Sequence, residues 1–246
     1  MSRRGNESLE VTSLSAVEHI LNHCPTRIRT LYVKPSSRGP SQRMEELIKF
    51  ARREGVAVDV SPRARDNDEP VRALLHNFEY VELETVMETA AEKKNSLVIL
   101  LDHLQDPQNF GAIARTAEAL GADGIVIPKD RGVTVTSGVY SASVGAIETI
   151  PVALVVNLGE ACRKLKEAGY WIVGSALGET SKPLHTLPDF DKVALIMGTE
   201  LEGISRGLEA QTDWLVEIPI QGKVQSLNVS AAGAILMHEI RRRWKN

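Results

Sequence analysis

Three polar side chains, Ser226, Asn228 and Ser230, stand where an apolar strand hands over to a mostly apolar helix. Val216 to Ile220 reads as a buried strand and Gln221 to Gln225 as a short loop containing Gly222. Ser226 to Trp244 then carries Leu, Val, Ala, Ile and Met at helical spacing. The first backbone N–H groups of a helix have no partner inside it, so polar groups there either cap it or face a ligand. Taken singly, each of the three is more often a plain cap. A second corner, Asp106 to Ala117, follows the apolar run Leu97 to Leu101 and reads as strand, turn and helix. In that helix Ile113, Ala117 and Leu120 share one stripe, and Gly121 is a fitting stop. At about 100° per residue, Arg115 lies opposite the stripe, outside the core. A surface position is the fate of most arginines. The third corner is the strand Val193 to Met197 followed by Gly198-Thr199-Glu200-Leu201-Glu202-Gly203-Ile204, a turn with two glycines and two carboxylates.

Together the corners resemble the three motifs of the SpoU (TrmH-like) branch of the SPOUT RNA methyltransferases. The matches are Asn109-x-Gly111 with Arg115, Gly198-x-Glu200-x-x-Gly203, and Ile218-Pro219 with Ser226-Leu227-Asn228-Val229-Ser230. The resemblance is close from Leu97 to Arg243 and loose before that. It implies S-adenosylmethionine as cofactor and a homodimer acting on structured RNA. The expected reaction is methyl transfer to a ribose 2′-hydroxyl. The two-domain layout is most similar to enzymes that modify a guanosine of large-subunit ribosomal RNA, with transfer RNA the alternative target.

Residue by residue, the resemblance places Gly198, Ile218 and Leu227 against the cofactor, and Ser175, Ala176 and Leu177 in a further cofactor loop. It places Arg115 in catalysis. A guanidinium stays protonated to very high pH, so a clamp on the phosphate beside the target ribose suits Arg115 better than the role of base. Glu200 is expected to orient Arg115 or Asn228, and Ser226 and Asn228 to bind the ribose or its phosphate. Asn109 is expected to assist, reaching across the dimer interface. No His/Cys/carboxylate cluster has metal-ligand spacing, and the reaction needs no metal.

Such corners need a scaffold that holds them at one edge. Apolar strands alternate with helices at Leu97–Leu101, Gly124–Ile127, Ile150–Val155, Trp171–Gly174, Val193–Met197 and Leu215–Ile220. That pattern predicts an α/β fold with a parallel sheet covered on both faces, and ligands at the carboxyl ends of its strands. No G-x-G-x-x-G follows the first strand, which disfavours an ordinary dinucleotide fold. The trefoil knot of the family's catalytic domain is implied only by the resemblance.

The expected division is an N-terminal RNA-binding domain at 1–85, a linker at 86–96 and the methyltransferase domain at 97–246. In the first part the spacing predicts helices at Ser13–Cys24 and Ser41–Glu54, strands at Ile28–Val33 and Val56–Val60, a charged turn at Asp66–Pro70, and then a short helix. The family's smaller N-terminal α/β domain resembles ribosomal protein L30e. Relatives of this layout carry a His-Gln-Gly tract before its last strand. Here the residues are Leu75-His76-Asn77-Phe78, so no RNA contact is transferred to His76.

The 246 residues, 43% apolar, suffice for a large core or two modest ones. Cys24 and Cys162 form no metal or redox motif, which suits a reducing cytosol. There is no apolar N-terminal signal and no membrane-length apolar window, so a cytoplasmic protein is expected. The net charge of −3 argues against a nonspecific nucleic-acid binder. Charge is unevenly distributed, however. Residues 1–65 carry twelve Lys/Arg against seven Asp/Glu, and residues 66–100 carry three against eight. Such a basic stretch either neutralises RNA phosphates or forms solvated helix faces. Against the enzyme stand two other classes: a noncatalytic RNA-binding or ribosome-assembly factor of the same fold, and a small-molecule nucleotide enzyme.

Overall fold

The computed structural model describes residues 9–35, 41–61, 69–176, 180–199 and 203–244. Leu177, Glu200, most of the turn at Asp66–Pro70, and Arg3, Arg4, Arg38, Arg63 and Arg65 lie outside these residues.

Two sheets form. The chain opens with β1 (Glu10–Val11), α1 (Leu14–His23), β2 (Ile28–Val33), α2 (Gln42–Arg53), β3 (Ala57–Val60) and β4 (Val71–Leu75). The four strands lie in the order β1-β4-β2-β3, with β2 and β3 parallel and β4 antiparallel to both its neighbours. Ser13 and Ser41 cap α1 and α2 by accepting from Ala16 N and Met44 N. The segment after Pro70 is a strand, against the helix expected there. Val71, Ala73 and Leu75 alternate inward with period two, and a run of five residues is too short to separate the two periods by pattern.

The stretch expected as a linker is packed. It contains the end of α3 (Leu83–Thr89), whose Val86 is fully buried, and the buried Ala90. Both sit with Val98, Leu100 and Val126 in one apolar cluster.

The second sheet takes β5 (Ser96–Leu101), β6 (Gly124–Pro128), β7 (Val152–Val155), β8 (Trp171–Ser175), β9 (Lys182–Pro183), β10 (Lys192–Met197) and β11 (Trp214–Glu217). Their order is β7-β6-β5-β10-β8-β11-β9, and every pairing is parallel. All six residues of β5 are buried. Leu97, Ile99 and Leu101 face one cluster and Val98 and Leu100 the other, as a strand covered on both sides requires. Helices α4 (Pro107–Ala119), α5 (Ser137–Ser143) and α8 (Val229–Arg243) cover the first face. Helices α3, α6 (Leu158–Glu167) and α7 (Arg206–Glu209) cover the second.

β10 enters between β5 and β8. Its last residue, Met197, is level with Leu101 on one side and Ser175 on the other, and Ser175 is in turn level with Val216 of β11. Four strands therefore end side by side, and the segments that leave them share one rim.

Candidate active site

At that rim lies a cleft of about 250 Å3. Ser175 and Ala176 line it from the end of β8, Met197, Gly198 and Thr199 from β10, and Glu217, Ile218 and Ile220 from β11; Ser226 and Leu227 close it just before α8. The sequence-derived cofactor residues Gly198, Ile218, Leu227, Ser175 and Ala176 are thus brought together. Ser226, expected to bind ribose, lies in the same wall, while Leu177 and Glu200 fall outside the described residues.

The local geometry explains the residue types. Thr199 N donates to Gly203 O at 3.1 Å and Gly203 N to Thr199 O at 3.0 Å, so the chain turns back on itself directly after β10. Gly203 has φ +66°, in the left-handed region. A Cβ on Gly198 would overlap the Gly203 carbonyl, so backbone fills the place of a side chain there. Ile218, Leu227, Ile204 and Met197 supply apolar wall, and Ser181, Thr199 and the backbone supply polar groups. Glu217 brings a carboxylate. Apolar walls, close backbone approach and a negative charge fit an adenosine-containing cation such as S-adenosylmethionine.

Beside the cleft two helix N-termini meet. Asn228 caps α8, its Oδ1 accepting from Ser230 N at 3.0 Å and Ala231 N at 3.4 Å. Its Nδ2 donates to Oδ1 of Asn109, the third residue of α4, at 2.8 Å. Asn228 is therefore both the cap and a bridge to the first motif. Asp106 caps α4 by accepting from Gln108 N, with Pro107 in the first turn. Gly111 lets α4 close onto α5, since a Cβ there would lie 2.7 Å from Val139 O. Arg115 is exposed further along α4 and makes no side-chain hydrogen bond or ion pair with the described residues. Two helix N-termini make this a rim suited to anions.

Some supporting residues had no signal in the sequence. Asp102, 2% exposed at the end of β5, accepts from Ser205 N at 2.7 Å and its own N–H donates to Met197 O at 2.8 Å. It ties the first motif's strand to the second motif's loop. Gly233 of α8 lies against Met197; a Cβ would meet the Met197 Cε at 2.6 Å. The Cys162 thiol, deeply placed in the second cluster, is pushed up to about 11 by burial, so it is no thiolate nucleophile near neutral pH. No group of His, Cys, Asp and Glu suited to a metal occurs among the described residues.

A parallel sheet with its cleft at the carboxyl strand ends, where three loops converge, is the architecture of an α/β protein that binds its ligand at that rim. Residues 96–238 match the SpoU rRNA Methylase family model, and the chain belongs to that family, RNA methyltransferases that use S-adenosylmethionine. It is 38% identical over 206 residues to YacO of Bacillus subtilis, a protein named for the TrmH family of tRNA/rRNA methyltransferases; the match covers 81% of this chain and 82% of that one. An S-adenosylmethionine-bound rRNA methyltransferase from Sinorhizobium meliloti superposes with TM-score 0.75 at 26% identity, covering 97% of this chain and 88% of that chain. A TrmH/SpoU tRNA modifying enzyme from A. aeolicus gives TM-score 0.56 at 26% identity and covers 65% of this chain and 81% of that one.

Proposed function

We propose that this protein transfers the methyl group of S-adenosylmethionine to the 2′-hydroxyl of a guanosine in large-subunit ribosomal RNA. The observation that carries the reaction is the cleft at the strand ends together with the Asn109–Asn228 bridge between the two helices that start there; Arg115 is exposed on the same helix as Asn109. The target rests on coverage. The rRNA methyltransferase from S. meliloti matches both sheets, whereas the tRNA modifying enzyme leaves about a third of this chain unmatched.

Bound in the cleft, the cofactor supplies an electrophilic methyl group on a sulfonium. Gly198, Ile218 and Leu227 hold it through backbone approach and apolar walls, with Ser175 and Ala176 opposite. Ser226 and Asn228 hydrogen-bond the ribose or its phosphate, which fixes the 2′-oxygen for in-line attack. Arg115 clamps the adjacent phosphate and stabilises the charge that develops on the 2′-oxygen as its proton passes to solvent. Glu200 orients Arg115 or Asn228 through charge-assisted hydrogen bonds.

The small sheet serves as the RNA-binding domain, 1–85, and 97–246 as the knotted catalytic domain; insertion of β10 between β5 and β8 supports the knot. Among the described residues of the first domain Arg27, Arg43, Arg53 and Arg72 are ion-paired within the chain, and the exposed Arg29, Lys49 and Arg52 serve as RNA-facing cations. The protein acts as a homodimer. Exposed Ile235 on α8, with Ala231 and His238 along the same stripe, supports that association. The free Cys24 and Cys162 suit the reducing cytoplasm.

The test is incubation with radiolabelled methyl donor and separate ribosomal and transfer RNA pools, with Arg115→Ala alongside. Label is expected as alkali-resistant 2′-O-methylguanosine in ribosomal RNA. The mutant should lose about a hundred- to a thousandfold in rate while keeping its melting temperature. Label in transfer RNA would change the target, and none in either pool would overturn the enzyme reading.

A further inference from the structure

One residue beside the cleft is held in a conformation that its type does not favour. His103 has φ +55°, in the left-handed region, two residues past the end of β5. Its Nδ1 lies 2.6 Å from Oδ1 of Asp102, whose side chain is 3% exposed, whereas the His103 side chain is 42% exposed. The other carboxylate oxygen of Asp102 accepts from Ser205 N, and the Asp102 N–H donates to Met197 O. Met197, Gly203 and Ile204 line the cofactor cleft, so the Asp-His pair is bolted to its wall. Asp102 alone would account for the loop anchoring. Glycine would take this backbone without strain, so the left-handed turn does not itself call for a histidine at position 103.

We propose that His103 is a substrate-binding residue whose Nε2 accepts a hydrogen bond from a ribose 2′-hydroxyl of the RNA flanking the methylated nucleotide. The chemistry follows from the pair. A buried carboxylate on Nδ1 holds a proton there, so in the neutral ring Nε2 is the acceptor on a side chain open to solvent. A fixed acceptor at the rim reads a hydroxyl donor, and the 2′-hydroxyl is the group that distinguishes RNA from DNA. The inference rests on the RNA methyltransferase reading, and it adds a contact from the loop that precedes α4.

His103→Gly separates this role from a structural one, because glycine relieves the left-handed backbone and leaves Asp102 in place. The probes are a fragment of unmethylated 23S ribosomal RNA and DNA of the same sequence, with S-adenosylmethionine affinity, melting temperature and methyl transfer measured in parallel. The variant is expected to bind the cofactor unchanged and to melt somewhat lower, since the buried Asp102 carboxylate loses its Nδ1 donor. Its preference for the RNA over the DNA should fall about tenfold, the weight of one hydrogen bond. An unchanged preference overturns the proposal, and so does a parallel loss of cofactor affinity, which would make His103 a support for the Ser205 loop. Lost preference in a protein whose wild type transfers no methyl group sustains the contact and overturns the enzyme reading. A wild type that binds neither probe overturns both.

Discussion

Asn228 shows how one side chain serves structure and chemistry together. Its carbonyl oxygen caps α8, a role worth about 1 kcal/mol, while its amide nitrogen reaches Asn109 on another helix. Asn228→Asp divides the two roles. Aspartate caps as well as asparagine and complements the helix dipole, so stability should stay within about 1 kcal/mol of the wild type. It has no N–H to donate, and it sets a carboxylate against the Asn109 carbonyl at a rim built for anions. Methyl transfer is therefore expected to fall at least about tenfold, measured as kcat beside a thermal melt; wild-type transfer would reduce Asn228 to a cap. The cap was legible in the sequence, since a polar residue preceding an apolar helix has a local meaning. The bridge to Asn109 was not, because 119 residues separate the partners and no periodicity links them.

At the scale of elements, the cleft depends on a loop that returns to its own strand end. Gly198→Ala would place a methyl group inside the Gly203 carbonyl, a backbone group that cannot swing aside as a side chain would. The loop must open, so S-adenosylmethionine binding is expected to vanish while the far-UV circular dichroism of the sheet persists. Gly207→Ala is the control. Nothing lies within 4 Å of its added Cβ, and its cofactor affinity should equal that of the wild type. Cofactor binding by Gly198→Ala would show that the loop yields cheaply. The strands carrying this site were readable because they are continuous buried runs, β5 most clearly. Their order was not, since β10 pairs with β5 across more than ninety residues and pattern carries no register between distant strands. The same limit hid α3. An acidic Ala/Glu/Lys stretch looks solvated in isolation, yet Val86 packs so closely on β6 that a Cβ on Gly124 would lie 2.7 Å from it.

Across the whole molecule, the two sheets share one apolar cluster that runs from Val11, Val17 and Ile20 to Phe110 and Tyr140. A buried polar knot sits on that seam. Arg27, from the first part of the chain, donates to Glu148 at 2.9 Å and to the carbonyl of Asn77 at 2.7 Å, and the Tyr140 hydroxyl donates to the other oxygen of Glu148. Burial, then the charge of Glu148, raises the Tyr140 pKa above its usual 10.0. Burial raises those of Tyr80 and Tyr170 as well. Below pH 10 these phenols are neutral in both the folded and the unfolded chain, and stability is intact. Above it the unfolded chain releases protons that the folded chain keeps, so stability falls as pH rises towards the folded pKa values. The melting temperature is expected to begin falling at about pH 10, the ordinary tyrosine pKa, and to keep falling as the pH rises further. Tyr140→Phe should start lower at pH 8, by about 1–3 kcal/mol for the lost bond to a buried carboxylate. Its further fall above pH 10 should be shallower, with Tyr80 and Tyr170 still contributing. Parallel curves for the two proteins would mean that Tyr140 ionises as freely in the fold as outside it. Because the seam belongs to a core common to both sheets, the alkaline transition should be seen at one midpoint by tryptophan fluorescence, which reports Trp171, Trp214 and Trp244 of the second part, and by far-UV dichroism, which reports the whole chain. Two midpoints would mean that the small sheet releases first and that the seam, though continuous, does not bind the halves into one cooperative unit.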